Sequence, residues 1–262
     1  MKKRSSALAA VILAIVALLA ACGSSSNQST LDKVKAAGTI TFGTEGTYPP
    51  FTYHDPKTQK LVGYDVELAT AVAKKLGLKA KFAETTFDSI FVGLTSKRFD
   101  VVANQVTENP ERAKLYSLSD PYTVSRGVIV AKADNISITS LADLKGLTTA
   151  QSATTNFAQT AKKAGAKLEA VEGFAQAITL VKQGRVDATV NDSLAVLQYL
   201  KTTNDTSVKI VAETGDTAKQ VFAMRKGDTT LTTAFNKALA ELQADGTVAR
   251  ISDKYFGKDV SK

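Results

Sequence analysis

Two stretches of this 262-residue chain carry the same residues at the same spacing. Phe87 is followed by Arg98, Asp100 and Asn104, and Phe174 is followed at identical offsets by Arg185, Asp187 and Asn191. Between Phe and Arg, both stretches have apolar residues at helical spacing, Ile90 and Leu94 in one, Ile178 and Val181 in the other. After each Asp comes a short apolar run, Val101 to Ala103 and Ala188 to Val190, which predicts a strand. Generic helix–turn–strand units can coincide in this way. The matched set of positions favours instead two similar lobes built on one plan.

The rest of the chain fits an α/β reading. Leu31 to Ala37 predicts a short helix stopped by Gly38, and Thr39 to Thr44 a strand. Asp65 is placed as the N-cap of a helix running to Leu76 and closed by Gly77, and Lys79 to Glu84 is the next strand. This alternation predicts, in each lobe, a mostly parallel sheet flanked by helices. The β-rich runs Val124 to Lys132 and Gln220 to Arg225 are placed as two strands joining the lobes as a hinge. Lobe 1 is then 31–124 with 222–262, and lobe 2 is 125–221. An amphipathic helix over Leu231 to Ala244 and a last one at about Val248 to Phe256 complete lobe 1.

Counting excludes several chemistries. The single Cys, Cys22, and the single His, His54, cannot make a disulfide or a Cys/His zinc site, and any Ser-His-Asp or Cys-His machinery would have to use His54. No GxxxxGK[ST] occurs, so the chain has no P-loop of its own. No cofactor or metal is called for. The net charge of +8 is spread along the chain, which describes a solvated surface better than a nucleic-acid stripe.

The amino terminus reads as an address. Lys2, Lys3 and Arg4 precede an uninterrupted apolar run from Ala7 to Ala21, shorter than the roughly 20 residues that span a bilayer as a helix. The run ends in Leu19-Ala20-Ala21-Cys22, followed by a polar Gly/Ser stretch, and this segment resembles a bacterial lipoprotein lipobox. Residues 1–21 are then a signal peptide, with Cys22 lipidated at the head of a tether over 22–30. The mature chain is expected outside the cytoplasmic membrane, held there by its lipid.

The repeat also places candidate binding groups. Ligands of open α/β sheets bind beyond the carboxyl ends of strands, here Asn104-Gln105 and Asn191-Asp192. If the lobes face each other, both strand ends line one cleft. Asn109 followed by Pro110 predicts a helix start that puts Arg112 in the first turn, where the helix dipole does not favour a cation. A guanidinium there suits a carboxylate taken bidentately, with Thr107 beside it; a surface ion pair to Glu111 or Asp120 is the plain alternative. Asp192 can accept from an ammonium group or cap the helix after it, or do both. Arg112 and Asp192 together would clamp a zwitterion. Thr154, Thr155 and Asn156 precede a helix whose N–H groups can meet an anion or be capped locally. Tyr48 and Phe87 are placed as apolar walls, the loop of Tyr48 stiffened by Pro49 and Pro50, and Glu45 as a carboxylate for a second ligand cation.

At this point the residues resemble a known family. Gly43-Thr44-Glu45-Gly46-Thr47-Tyr48-Pro49-Pro50-Phe51, Gly63-Tyr64-Asp65-Val66-Glu67-Leu68-Ala69, Phe99-Asp100-Val101-Val102-Ala103-Asn104-Gln105-Val106-Thr107, Arg112 and Ser119-Asp120-Pro121-Tyr122 are similar to bacterial solute-binding proteins of family 3, the polar amino acid receptors of ABC importers. The resemblance implies a two-lobed periplasmic-binding-protein type II fold and no enzyme activity. It implies Arg112 and Thr107 on the α-carboxylate, Asp192 on the α-ammonium, Tyr48 and Phe87 as aromatic walls, Glu45 selecting the side chain, and Thr155 and Asn156 as the lobe 2 contact. Its implied partners are an amino acid, a permease with its separate ATPase, and the membrane through the lipid alone, with the receptor a monomer. Within the family, the run from Gly43 to Phe51, Asn104-Gln105-Val106-Thr107 and Lys201-Thr202-Thr203-Asn204-Asp205-Thr206 are most similar to receptors for L-cystine, a ligand with polar groups at both ends. Glutamine, histidine or another polar amino acid stands behind it, and an enzyme on the same fold, a dehydratase or a peptidoglycan-cleaving protein, is the competing class.

Overall fold

The computed structural model describes residues 28–262. The expected signal peptide, Cys22 and most of the expected tether lie outside the described residues. Helix α1 (Thr30–Ala37), capped by Ser29 and ended by Gly38 at φ 65°, leads into strand β1 (Thr39–Thr44). Strands β2 (Thr47–Tyr48), β3 (Thr52–His54) and β4 (Leu61–Val62) form a small antiparallel sheet that the sequence reading does not contain. Next come α2 (Tyr64–Lys75), β5 (Lys79–Glu84), α3 (Phe87–Thr95), β6 (Val101–Thr107), α4 (Pro110–Leu115) and β7 (Tyr116–Leu118). Strand β8 (Thr123–Lys132) carries the chain to β9 (Thr148–Gln151), α5 (Asn156–Lys163), β10 (Lys167–Ala170), α6 (Phe174–Lys182), β11 (Ala188–Asp192) and α7 (Ser193–Thr203). Strand β12 (Val208–Arg225) brings it back to α8 (Thr229–Ala244) and α9 (Thr247–Phe256).

The large sheet has the order β10-β9-β11-β8-β12-β6-β1-β5, with β7 also on β12. Each end is parallel: β1 with β5 and β6, β9 with β10 and β11. The middle is antiparallel, because β8 and β12 run against each other and against β11 and β6. Strand β12 is 18 residues long, far longer than the apolar run that marks its end in the sequence. Its first part pairs with β8 beside β11, and its last part pairs with β6 and β7. One cluster of buried side chains around Ile40, Phe42, Leu68, Phe222 and Phe235 and a second around Ile90, Phe99 and Val221 fill the β1–β5–β6 end. Separate clusters around Val130, Ile178 and Val181, and around Ile129, Leu144 and Val190, fill the other.

The repeat has a structural reason. Phe87 and Phe174 each begin a nine-residue helix. Asp100 then ties down the neighbouring strand at two points: its N–H donates to Thr41 O at 2.8 Å and its carboxylate accepts from Thr41 N at 3.1 Å. Asp187 does the same to Thr148, at 2.9 and 2.7 Å. A carboxylate at this turn fixes the parallel register by satisfying a backbone donor at the strand's edge.

One expected cap is corrected. Asp65 lies inside the first turn of α2, and Gly63 is the N-cap. Gly63 has φ 133°, and a Cβ there would stand 2.2 Å from Phe51 O, so only glycine fits. The carboxylate of Asp65 is thereby left free to point elsewhere.

Candidate functional site

The carboxyl ends of β1, β6 and β11 meet the start of α3 and the loop before α5 around a cavity of about 40 Å³. Glu45, Tyr48, Phe87, Asn104, Gln105, Thr155 and Asn156, all expected from the sequence, line it. So do Asn191, expected at a strand end facing the cleft, and Ser152, Phe157, Gly173 and Phe174, which were not expected. The repeat carried the signal for Phe174, the counterpart of Phe87. The two ends of the molecule touch across this cavity. Tyr48 Oη donates to Asn191 Oδ1 at 2.6 Å, and Asp88 accepts from Thr154 N at 2.9 Å and Thr154 Oγ1 at 2.7 Å.

Thr107, Arg112 and Asp192 do not line this cavity. Thr107 lines a neighbouring one of about 310 Å³ that shares Asn156 and Phe157 with the first. Arg112 stands where Asn109 caps α4, accepting from Arg112 N at 2.8 Å, with Pro110 next. Its guanidinium is buried, 7% exposed, donates from Nη1 to Thr107 O at 2.8 Å, and lies 5.7 Å from the Phe87 ring and 5.4 Å from the Phe91 ring. Burial pulls its pKa down to about 10, so it is a cation at neutral pH. It has no ion-pair partner among the described residues, so neither Glu111 nor Asp120 neutralises it. A cation held out of water by aromatic rings and one carbonyl is an electrostatic demand for an anion.

Asp192, also buried, caps α7 by accepting from Leu194 N at 2.8 Å. Its other oxygen accepts from Ser125 Oγ, on β8, and from Gln220 Nε2, on β12, at 3.2 Å. One carboxylate thus touches both crossing strands, a role for Ser125 and Gln220 that no sequence signal marked. Burial pushes its pKa up to about 6. Asn104 fixes Glu45: Nδ2 donates to Glu45 Oε2 at 2.6 Å and Oδ1 accepts from Glu45 N at 2.7 Å. Burial raises the Glu45 carboxyl to about 7 against that hydrogen bond. Gln105, the next residue, has φ 48°, a left-handed conformation that costs a non-glycine residue roughly 1–2 kcal/mol. Asp65 holds it there, accepting from both Gln105 N and Gln105 Nε2 at 2.6 Å. Thr155 is the N-cap of α5, its side chain accepting from Ala158 N at 3.1 Å, and Asn156 is the first residue of that helix.

No cluster of metal-ligating side chains occurs among the described residues, and none of their helices is long and apolar enough to cross a membrane.

Comparison with known proteins places the chain in a family. The model of the bacterial extracellular solute-binding proteins, family 3, matches residues 40–258. The L-cystine-binding protein TcyA of Bacillus subtilis (strain 168) is 53% identical, with 97% of this chain and 98% of the relative covered. Among solved structures, the L-cystine solute receptor of Neisseria gonorrhoeae in the unliganded open conformation is 48% identical and covers 88% of this chain and 98% of its own, at a TM-score of 0.59. An ancestral arginine-binding protein bound to arginine is less similar in sequence, at 42%, yet superposes better, at a TM-score of 0.79 over 84% of this chain and 99% of its own. The fold is the two-lobed type II periplasmic-binding fold. This chain belongs to the bacterial extracellular solute-binding proteins of family 3.

Proposed function

We propose that the chain is a receptor for L-cystine that delivers it to the permease of an ABC importer, driven by a separate ATPase. The observation that carries the reading is Arg112, a buried guanidinium without an anionic partner among the described residues, 5.7 Å from the ring of Phe87, which lines a cavity bounded from both ends of the molecule. A ligand α-carboxylate supplies the missing charge, with Thr107 beside it. Asp192 takes the α-ammonium, and Tyr48 and Phe87 bracket the ligand. Asn104, Gln105 and Glu45 meet the polar groups at its far end, and Thr155 and Asn156 close on it from the other side. The identity to L-cystine-binding relatives supports this choice of ligand.

Lobe 1 (31–124 and 222–262) and lobe 2 (125–221) open and close about β8 and β12. The closer superposition on an arginine-bound relative than on a more identical open one supports a closed arrangement here. A ligand stabilises closure by binding that form better, because only there do both lobes touch it. A micromolar Kd, about −8 kcal/mol, is within reach of such a clamp. The role is binding, not catalysis. Cys22 carries the lipid that keeps the monomeric receptor on the outer face of the membrane. A second reading, a cationic amino acid, is favoured by the Glu45 carboxyl in the cleft and by the arginine-bound relative.

Calorimetric titration of the full chain in detergent against L-cystine and the twenty amino acids tests the reading. L-cystine is expected to bind most tightly. Tighter binding of arginine moves the assignment to the second reading, and binding of none defeats both. Palmitate labelling that survives Cys22→Ser would remove the anchor from the proposal.

A further inference from the structure

Asp65 has no place in the ligand clamp, yet its carboxylate is fully buried beside the cleft. It accepts from Gln105 N and Gln105 Nε2, each at 2.6 Å, and from Tyr122 Oη at 3.1 Å. All three partners donate, so the carboxylate is satisfied as an acceptor only. This has a consequence for Gln105. A side-chain amide can be turned either way in its pocket, and a partner that only accepts decides which. With Nε2 committed to Asp65, Oε1 faces away, and Oε1 has no hydrogen-bond partner among the described residues although it is buried. Gln105 lines the cavity. An orphaned buried acceptor at a binding surface is a place for a ligand N–H, since leaving it unpaired is costly.

We infer that Asp65 is a positioning residue for recognition: by fixing the backbone and the amide of Gln105, it presents Oε1 to the ligand as an acceptor and makes that subsite selective for an N–H donor such as an ammonium group. The inference rests on the receptor reading above for the identity of the ligand, but not for the orientation of the amide. Asp65→Asn is the informative change. Its own NH₂ group would face Gln105 Nε2, and relief comes when the Gln105 amide turns over and shows its NH₂ to the cavity. The subsite then repels the donor it formerly took.

The test is a double-mutant cycle in full-length protein, with L-cystine as the probe and calorimetry as the readout. Asp65→Asn is expected to weaken binding by about tenfold to a hundredfold, the range for losing a hydrogen bond to a charged group. Gln105→Met, which keeps the volume and removes the amide, is expected to weaken it similarly. In the Gln105→Met background, Asp65→Asn should cost nothing further, because its effect passes through the amide that is gone. Additive losses, or an Asp65→Asn variant that binds as wild type, overturn the inference. A ligand-free measurement covers the case in which Asp65→Asn does not fold. The Gln105 side-chain NH₂ resonance, assigned by its absence in Gln105→Met, should exchange slowly with water in wild-type protein, and fast exchange overturns the orientation. Wild-type protein that binds no L-cystine defeats the functional reading, and the orientation is then decided by amide exchange alone.

Discussion

The two copies of the repeat are built alike and finish differently. In both, a phenylalanine starts a helix and an aspartate clamps the neighbouring strand at two points. In the first copy, strand β6 runs on past Asn104, buried throughout, through the left-handed Gln105 to Thr107 and then to the short helix that carries Arg112. In the second, the strand ends one residue past Asn191, and Asp192 at once caps the next helix. Where the copies agree, the aspartates fix the sheet while Phe87, Asn104, Phe174 and Asn191 line the cavity. Where they part, one contributes a buried cation and the other a buried carboxylate. The difference teaches that a shared scaffold can carry opposite charges beyond corresponding strands, one on the helix after β6 and one at the end of β11, which suits the zwitterion proposed as ligand.

The strongest way to break this comparison is to remove the cation. Arg112→Ala is expected to lower affinity for L-cystine by about a hundredfold to a thousandfold, since truncating one partner of a buried charge pair costs about 2–5 kcal/mol. The thermal midpoint without ligand should move by only a few degrees, because the side chain has a single hydrogen bond among the described residues. Affinity that survives the change shows that the carboxylate is anchored elsewhere. Asp192→Asn should cost less, about tenfold to a hundredfold, the range for losing a hydrogen bond to a charged group. The amide oxygen can still cap Leu194 N, and the carboxylate it replaces is already shared with Ser125 and Gln220. An unchanged Kd would leave Asp192 as a cap and strand tie alone.

How much of this was legible follows from where each signal lives. Strands β1 and β5 match the expected bounds, and Asn109-Pro110 and Thr155 start helices as expected, because those signals are local. The cleft residues just after β1 and in the carboxyl-terminal half of β6 were legible because strand ends concentrate binding groups. The first part of β12 was not. Val208 to Lys219 is polar and half exposed, and its strand form comes from pairing with β8 rather than from its own pattern. Asp65 was misread because local rules see a good cap in it. The glycine before it takes that position through a close approach to Phe51 that only tertiary structure creates. The roles of Ser125 and Gln220 depend on two strands crossing at one carboxylate, which no single segment encodes.

Acidity sharpens the comparison because the buried carboxylates and the cation respond differently. Glu45 and Asp65 are raised to about 7 and Asp192 to about 6, each by burial. In the unfolded chain these groups titrate near their ordinary values of 4.5 and 3.8. Between those limits the folded chain holds more protons, so its stability falls as pH rises from about 4 through about 7. The protein without ligand should therefore melt at a higher temperature at pH 5 than at pH 7. Affinity should move the opposite way, weakening below about pH 6 as Asp192 gains a proton, while Arg112 stays charged. Differential scanning calorimetry and titration at both pH values check the two signs. A melting point that drops on acidification from pH 7 to 5 would mean that these carboxylates are not buried as described.

The smallest effects belong to the aspartates that the copies share. Asp100→Ala and Asp187→Ala each remove the acceptor for one strand-edge N–H, at Thr41 and Thr148. Each should cost about 1–2 kcal/mol, a fall in thermal midpoint of about 2–8 °C for a chain of this size. Asp100 should lose slightly more, because Arg225 Nη2 also lies 3.5 Å from its carboxylate. Neither change should alter affinity for L-cystine by more than about twofold, since the backbone N–H of each aspartate still bonds across to its strand. A large loss of affinity from either would show that these aspartates do more than hold strands in register, and the division between building residues and binding residues would fail at its simplest point.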